Sequence, residues 1–297
     1  MTRSFPTISR SILRRRGGCP PGVAHPPKRP SDGPWQGCAE GRLAWRSPPD
    51  VLVATLQEPG ITRLSCDIFD TVLLRGIKPE IARFQDIGRL QAAALARRGH
   101  CLAARDVFFA RLYAHRIEYL TAPEIGGSRE GRLDRIVGHM TRLLALPPEE
   151  AAVLHDAELQ YELSAVRQNR SLLAAIRVAR KLQKRVIAIS DMYLSRDDMV
   201  RLLDCHVGTG CFDAVYVSSE FGCTKHAGSL YQLVAAAEGC DPQEILHVGD
   251  NPRADGENAV RLGFRAFVRP RWRLWQFIRD RWGGWMAARC RRSRIPC

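Results

Sequence analysis

The chain has 297 residues, a formal net charge of +14 and a mean hydropathy of −0.22. No run of about 18 apolar residues occurs, so no membrane-crossing helix is expected, and no apolar stretch of leader length follows the basic N-terminus. The ten cysteines form no C-x-x-C pair, and Cys205, His206 and Cys211 fit no common zinc spacing, so reduced thiols and a cytoplasmic location are expected.

The positive charge is not spread evenly. Residues 1–49 hold nine Lys/Arg against two acids, and residues 269–297 hold nine Arg against one. These ends contribute +7 and +8, which leaves about −1 for residues 50–268. All six Trp lie in the ends as well. The middle is therefore an ordinary, nearly neutral globular chain, and nucleic acid is not the expected partner. Residues 1–49 also carry nine of the eighteen Pro, a mixture unable to bury enough apolar surface to offset chain ordering, and disorder is expected there.

Order is predicted to begin with a short helix at Val51–Gln57, followed after Pro59-Gly60 by a buried strand, 61–66, that ends at Asp67. From about 78 to 184 the pattern is helical: Phe108, Leu112, His115 and Tyr119, then Leu154, Ala157, Tyr161 and Ala165, recur at three- and four-residue steps. Strands are then predicted at 185–190, 214–218, 244–248 and 265–268, with helices near 196–204, 227–238 and 253–262 between them. Short apolar strands alternating with helices imply an α/β fold with a parallel, Rossmann-like sheet flanked by helices. The helical block reads as an all-helical insertion, not a separate beginning. The resulting divisions are a disordered basic segment at 1–49, a core at 50–77 and 169–268, an insertion at 78–168, and a Trp/Arg-rich tail at 269–297. In that tail Trp272, Trp275, Trp282 and Trp285 interleave with Arg, a pattern suited to peripheral contact with an anionic membrane, and Gly283-Gly284 is expected to interrupt any long helix.

Ligands of open parallel sheets bind beyond the carboxyl ends of the strands. The residues found there are Asp67-Ile-Phe-Asp70-Thr71, Ser190-Asp191, Lys225 before its helix, and Gly249-Asp250-Asn251 with Asp255 beyond. Asp67 is a candidate carboxylate nucleophile. Asp67 and Asp250 together suit Mg²⁺, a hard cation that takes oxygen ligands. Ser190 can donate to a phosphoryl oxygen, and Lys225 adds positive charge where negative charge spreads in a transition state.

This ordered set resembles the haloacid-dehalogenase-like (HAD) hydrolase superfamily. Its four motifs stand here as D-I-F-D-T at 67–71, V-I-A-I-S at 186–190, T-K-H-A-G-S-L-Y at 224–231 and G-D-N-P-R-A-D at 249–255, covering roughly 61–268. The resemblance implies that Asp67 is nucleophile and metal ligand, that the Phe69 carbonyl and Asp250 complete the protein's ligands, and that Asp255 supports the metal. It further implies that Thr71 and Ser190 steady the phosphoryl oxygens, with Asp191 beside them, and that Lys225 orients Asp67. The helical insertion at 78–168 stands where that superfamily places a cap, so an inserted all-helical cap is implied, and a small phosphorylated metabolite or sugar phosphate is the implied substrate. One departure stands out. Phe69 occupies the position where family phosphatases carry an acid that protonates the leaving group, and Asp70, the remaining candidate acid, comes one residue late. Family dehalogenases have an aromatic residue there but lack the Gly-Asp motif, so halide displacement and a feebly catalytic binding module are the competing readings. The D-x-F-D-T form resembles bacterial members found with polysaccharide glycosyltransferases, which would be partners.

Overall fold

The structure is a computed structural model that describes residues 43–45 and 49–292. Apart from residues 43–45 and 49, the N-terminal segment expected to be disordered lies outside the described residues.

The described chain opens with a short strand, β1 (Leu43–Trp45), a helix, α1 (Pro49–Gln57), and a strand, β2 (Arg63–Cys66). β3 (Leu73–Arg75) then leads into α2 (Glu80–Ala96) and α3 (Ala104–Thr121). A tight hairpin of β4 (Glu124–Ile125) and β5 (Ser128–Arg129) precedes α4 (Leu133–Leu143) and α5 (Glu150–Ala165). The chain returns through β6 (Val166–Gln168), which pairs antiparallel with β3, so the two stems of the helical insertion form one ribbon. Alternation follows: α6 (Arg170–Lys181), β7 (Arg185–Ser190), α7 (Arg196–His206), β8 (Ala214–Val217) and the one-turn α8 (Ser218–Phe221). Then come α9 (Ser229–Glu238), β9 (Ile245–Gly249), the one-turn α10 (Asn258–Arg261), β10 (Arg265–Val268) and a last helix, α11 (Arg273–Arg292).

Six strands form one parallel sheet in the order β1-β10-β9-β2-β7-β8. The α/β architecture expected from the alternation is therefore present. Its physical basis shows in β7, where Val186 and Ala188 join one apolar cluster and Ile187 and Ile189 join the other. That is the two-residue period of a strand covered on both faces. From β2 the chain steps to β7 and β8 on one side, then crosses back to β9 and β10 on the other. Strand order reverses between β2 and β9, which opens a crevice at their carboxyl ends.

The inserted helices bury Phe84, Ile87, Leu95, Phe108, Ile136, Met140 and Leu154 in the larger cluster. Each such burial is worth about 1.5–3 kcal/mol. Charges are buried there too. Arg111 and Glu158 are both fully buried and share two hydrogen bonds, of 2.7 and 2.6 Å. Arg83 and Arg75 share the buried Glu162 at 3.1 and 3.3 Å.

Three local expectations are corrected. Leu43–Trp45, within the segment expected to be disordered, pairs in parallel with β10. The helix predicted near 253–262 is a wide π-type turn, Pro252–Glu257, before the single turn of α10. The turn brings Asp255 back onto the end of β9, as its bond from the Asn251 amide shows. The glycine pair does not break the tail: α11 runs through Gly283 and Gly284. A Cβ at Gly283 would stand 3.2 Å from Pro79 Cβ, so glycine there suits the close approach of α11 to the start of α2. Among the described residues no helix is long and apolar enough to cross a membrane.

Candidate active site

The loop after β2 turns tightly. Ile68 carbonyl accepts from both Val72 and Leu73 amides, and Asp70 takes a left-handed conformation (φ 63°), which Asp tolerates better than most residues. Asn169, which caps α6, donates its side-chain amide to Thr71 carbonyl at 2.8 Å and its backbone amide to Val72 carbonyl at 2.8 Å. The end of the insertion thus braces the loop that carries Asp67.

Asp67, at the end of β2, faces the loops after β9 and β8. Lys225 Nζ donates to Asp67 Oδ1 at 2.5 Å and to Asp255 Oδ1 at 2.7 Å, and all three side chains are buried. Two groups hold Lys225 in place. Asp191 accepts from the Lys225 and His226 amides at 2.8 and 3.1 Å, and Asn258 donates to the carbonyls of the same two residues. Asp191 lines the cavity, yet both its oxygens are spent on this loop.

Asp255 is fixed as closely. Its Oδ2 accepts from the Asn251 amide at 2.9 Å, while its Oδ1 also meets His247 Nε2 at 3.3 Å. His247 Nδ1 lies 2.8 Å from Ser65 Oγ. Burial pushes the His247 pKa down, so the imidazole is neutral, donating from Nε2 to the carboxylate and accepting at Nδ1 from Ser65. Gly249 is required by this packing: a Cβ there would stand 2.2 Å from Asp255 Cγ.

One oxygen each of Asp67, Asp250 and Asp255 lies within 4.8 Å of the others. Burial pushes the Asp67 carboxyl up to about 7, with Lys225 opposing the shift and Asp255 adding to it. Burial, then Asp67 and Asp255, push Asp250 up to about 8. Burial works against charge on Asp255, yet Lys225 and His247 hold it below the usual carboxylate range. Burial likewise disfavours charge on Lys225, but Asp255 and Asp67 hold it well above the usual lysine value. Three carboxylates therefore face one ammonium, and the site is short of positive charge.

A cavity of about 630 Å³ opens from this cluster, lined also by Phe69, Asp70, Arg75 and Ser190, and by Trp275 and Arg279 of α11. Thr71 Oγ1 is buried and has no hydrogen-bond partner among the described residues. Asp70 is turned toward arginines: its carboxylate lies 3.2 Å from Arg279 and 3.9 Å from Arg271, and it accepts from the Arg75 amide. The Arg75 guanidinium stacks over the Phe69 ring at 3.5 Å from its centroid. A larger groove, of about 820 Å³, lies between α2, α3 and α11, lined by Phe108, Phe109 and Trp282 and by none of the site carboxylates.

The structure thus gathers Asp67, Asp70, Ser190, Asp191, Lys225, Asp250 and Asp255 around one cavity, with the Thr71 hydroxyl buried in the same loop. It adds Arg75, His247 and Arg279, which sequence reasoning did not single out, and brings Trp275 of the tail to the same cavity. His247 carried a signal in being a polar residue inside an apolar strand. The tail residues carried none that tied them to Asp67.

The fold and site define an α/β protein with a carboxylate–lysine cluster at the switch point of a parallel sheet. No protein-family model and no curated protein matches the sequence. Among solved structures, the chain is similar to a 2-haloacid dehalogenase from Pseudomonas syringae at 16% identity, covering 75% of this chain and 99% of that one, with a TM-score of 0.49. An L-2-haloacid dehalogenase from Xanthobacter autotrophicus matches at 19% identity over 69% and 76%, with a TM-score of 0.44. A predicted phosphoglycolate phosphatase from Haemophilus somnus matches at 11% over 70% and 84%, with a TM-score of 0.41. The sheet order and side chains described above, rather than these distant likenesses, define the site.

Proposed function

We propose that this protein is a magnesium-dependent HAD-like hydrolase that removes a phosphoryl group from a small phosphorylated metabolite through Asp67. The observation that carries the reading is the cluster of Asp67, Asp250 and Asp255, with one oxygen of each within 4.8 Å of the others and Lys225 bridging Asp67 and Asp255. The donor set fits Mg²⁺: the ligands are carboxylate oxygens, and one ammonium leaves their charge uncompensated. Asp67 and Asp250 would hold the ion, with the Phe69 carbonyl implied by family resemblance, while Asp255 spends its oxygens on Lys225, His247 and the Asn251 amide. When bound, Mg²⁺ supplies charge that screens an anionic nucleophile from an anionic phosphate.

The chain's own groups do the rest. Asp67 attacks phosphorus with a carboxylate oxygen as the bond from phosphorus to the leaving oxygen breaks and its electron pair departs with that oxygen, and Lys225, donating to the carboxylate, orients it. The Thr71 and Ser190 hydroxyls donate to the phosphoryl oxygens. Water then attacks phosphorus, the bond to Asp67 breaks, and the carboxylate is regenerated. The test is phosphate release from aryl phosphates with and without Mg²⁺, together with trapping by a phosphate-mimicking fluoride complex. Metal-dependent turnover that disappears in Asp67→Asn is expected; no turnover with Mg²⁺, and no effect of Asp67→Asn, would sink the reading. Phe69 favours one second reading, displacement of carbon-bound halide, because a halide leaves without a proton. Activity that survives a chelator would point there, and tight phosphate binding without turnover would point to a binding module.

We further propose that the outer face of α11 rests on an anionic membrane surface from the cytoplasmic side. Leu274, Phe277, Ile278 and Trp285 recur at helical spacing and are exposed, Trp285 at 59%. Arg281 and Arg289 lie over the Phe277 and Trp285 rings, and Asp280 is the one acid in the helix. This pairing of arginine with interfacial aromatics complements anionic headgroups. Salt-sensitive binding to phosphatidylserine vesicles, lost in a Phe277→Ser, Trp285→Ser double variant, is expected. Equal binding to neutral vesicles, or concentration-dependent dimerisation without vesicle binding, would overturn it. The glycosyltransferase partner implied by the D-x-F-D-T resemblance is tested by co-purification with such an enzyme.

A further inference from the structure

The loop after β2 and α11 form the outer part of the cavity, and among the described residues no buried acid there is left unpaired. Phe69 stands two residues after Asp67, and the Arg75 guanidinium covers its ring. Asp70 is paired with Arg279. Asp191 holds two backbone amides, and Asp280 stands on the exposed rim. The outer cavity is furnished with cations instead. Arg75 shares Glu162 with Arg83, and Asp70 is shared by Arg279 and Arg271, so each carboxylate faces two guanidiniums. The Trp275 ring lies 4.4 Å from the Arg271 guanidinium and 5.0 Å from that of Arg279, which helps to fix both.

The chemical consequence depends on what leaves. An alkoxide is a strong base, and losing its proton donor costs about 10²–10⁴-fold in rate. A phosphate or carboxylate leaving group departs as a stable anion, and guanidinium groups bind such anions through paired N–H donors. We propose that the substrate carries its phosphoryl group on an already acidic leaving group, as in a phosphoanhydride or acyl phosphate, and that Arg75 and Arg279 receive the departing anion. The inference rests on the phosphoryl-transfer reading above. In the step, a bond forms between Asp67 Oδ and phosphorus while the bond from phosphorus to the leaving oxygen breaks. The electron pair leaves with that oxygen, and no proton moves. Water then attacks phosphorus, the pair in the Asp67–phosphorus bond returns to the carboxylate, and the water protons leave with inorganic phosphate or pass to solvent.

The experiment compares acetyl phosphate, pyrophosphate and glycerol phosphate as substrates of the full chain with Mg²⁺. kcat/KM on at least one of the first two is expected to exceed that on glycerol phosphate by about 10²–10⁴-fold, and those two arms separate acyl phosphate from anhydride. Phe69→Asp, checked for folding by circular dichroism, is expected to raise turnover of glycerol phosphate by about tenfold or more and so narrow the gap. Arg279→Gln is expected to lower kcat on the preferred substrate by a larger factor than on glycerol phosphate, and an equal loss on both would count against a leaving-group role. Comparable kcat/KM across all three substrates would overturn the inference while leaving the hydrolase reading intact. Turnover of aryl phosphates but of none of these three would overturn the inference alone, and turnover of neither would overturn both. If Phe69→Asp does not fold, the wild-type series decides alone.

Discussion

Two buried charge clusters in this protein are built to opposite ends. In the helical insertion, Arg111 meets Glu158 with both side chains fully buried, and no cavity lined by the site carboxylates includes either. At the sheet edge, Lys225 bridges Asp67 and Asp255, Asp250 stands nearby, and the cluster opens into a cavity. The first pair is matched in charge and closed to water. The second sets three carboxyl groups against one ammonium and is open. A matched, closed pair contributes fixed geometry to the fold. An unmatched, open one has affinity left over for a ligand, at a cost to the stability of the empty protein.

The sharpest way to separate the two is Asp67→Asn. Activity is expected to fall by roughly 10⁴-fold or more, while thermal melting shows a metal-free protein at pH 8 at least as stable as wild type, since an unfavourable buried charge is removed. A lower Tm would break the contrast. Glu158→Gln should do the reverse. It strands the Arg111 guanidinium in the core, costing about 3–5 kcal/mol and lowering Tm by roughly 10 °C, with kcat of the folded fraction preserved. Denaturant melts and active-site-normalised rates check both halves.

Smaller effects follow at the joins. In Gly249→Ala, a methyl group meets Asp255, whose Cγ lies 2.2 Å from the added Cβ position. Displacing that carboxylate moves Lys225 with it, and a loss of about 10²-fold in kcat is expected, against only a modest change in Tm. The pH dependence of stability is a subtler measure. In the metal-free protein Asp67 and Asp250 keep their protons to about 7 and about 8, whereas the unfolded chain releases them near the ordinary aspartate value of 3.8. Between those limits the folded state binds more protons, so stability falls as pH rises from about 4 toward 8. Saturating Mg²⁺ should flatten that slope, and Tm measured at pH 5, 6, 7 and 8 with chelator or with Mg²⁺ tests it. Identical slopes would count against a metal between these carboxylates.

Sequence alone determined the alternation of strand and helix, because the apolar period changes from about 3.6 to 2 at each boundary and the parallel strands are buried on both faces. It also picked out Asp67, Ser190, Lys225, Asp250 and Asp255, since each follows a strand in an order that a parallel sheet gathers at one edge. The sequence did not reveal where Asp70 turns or what surrounds Phe69. Asp70 and Arg279 are 209 residues apart, and their pairing depends on how α11 crosses the mouth of the cavity. Gly283 reads in isolation as a helix breaker; in the fold it is the position where α11 passes close to Pro79. Local period and strand order are written within a few residues of each position, whereas the partners of Asp70, Arg75 and His247 come from chain segments that only tertiary packing brings together. For that reason Asp67 was legible in the sequence, and the outer cavity lined by Arg75 and Arg279 was not.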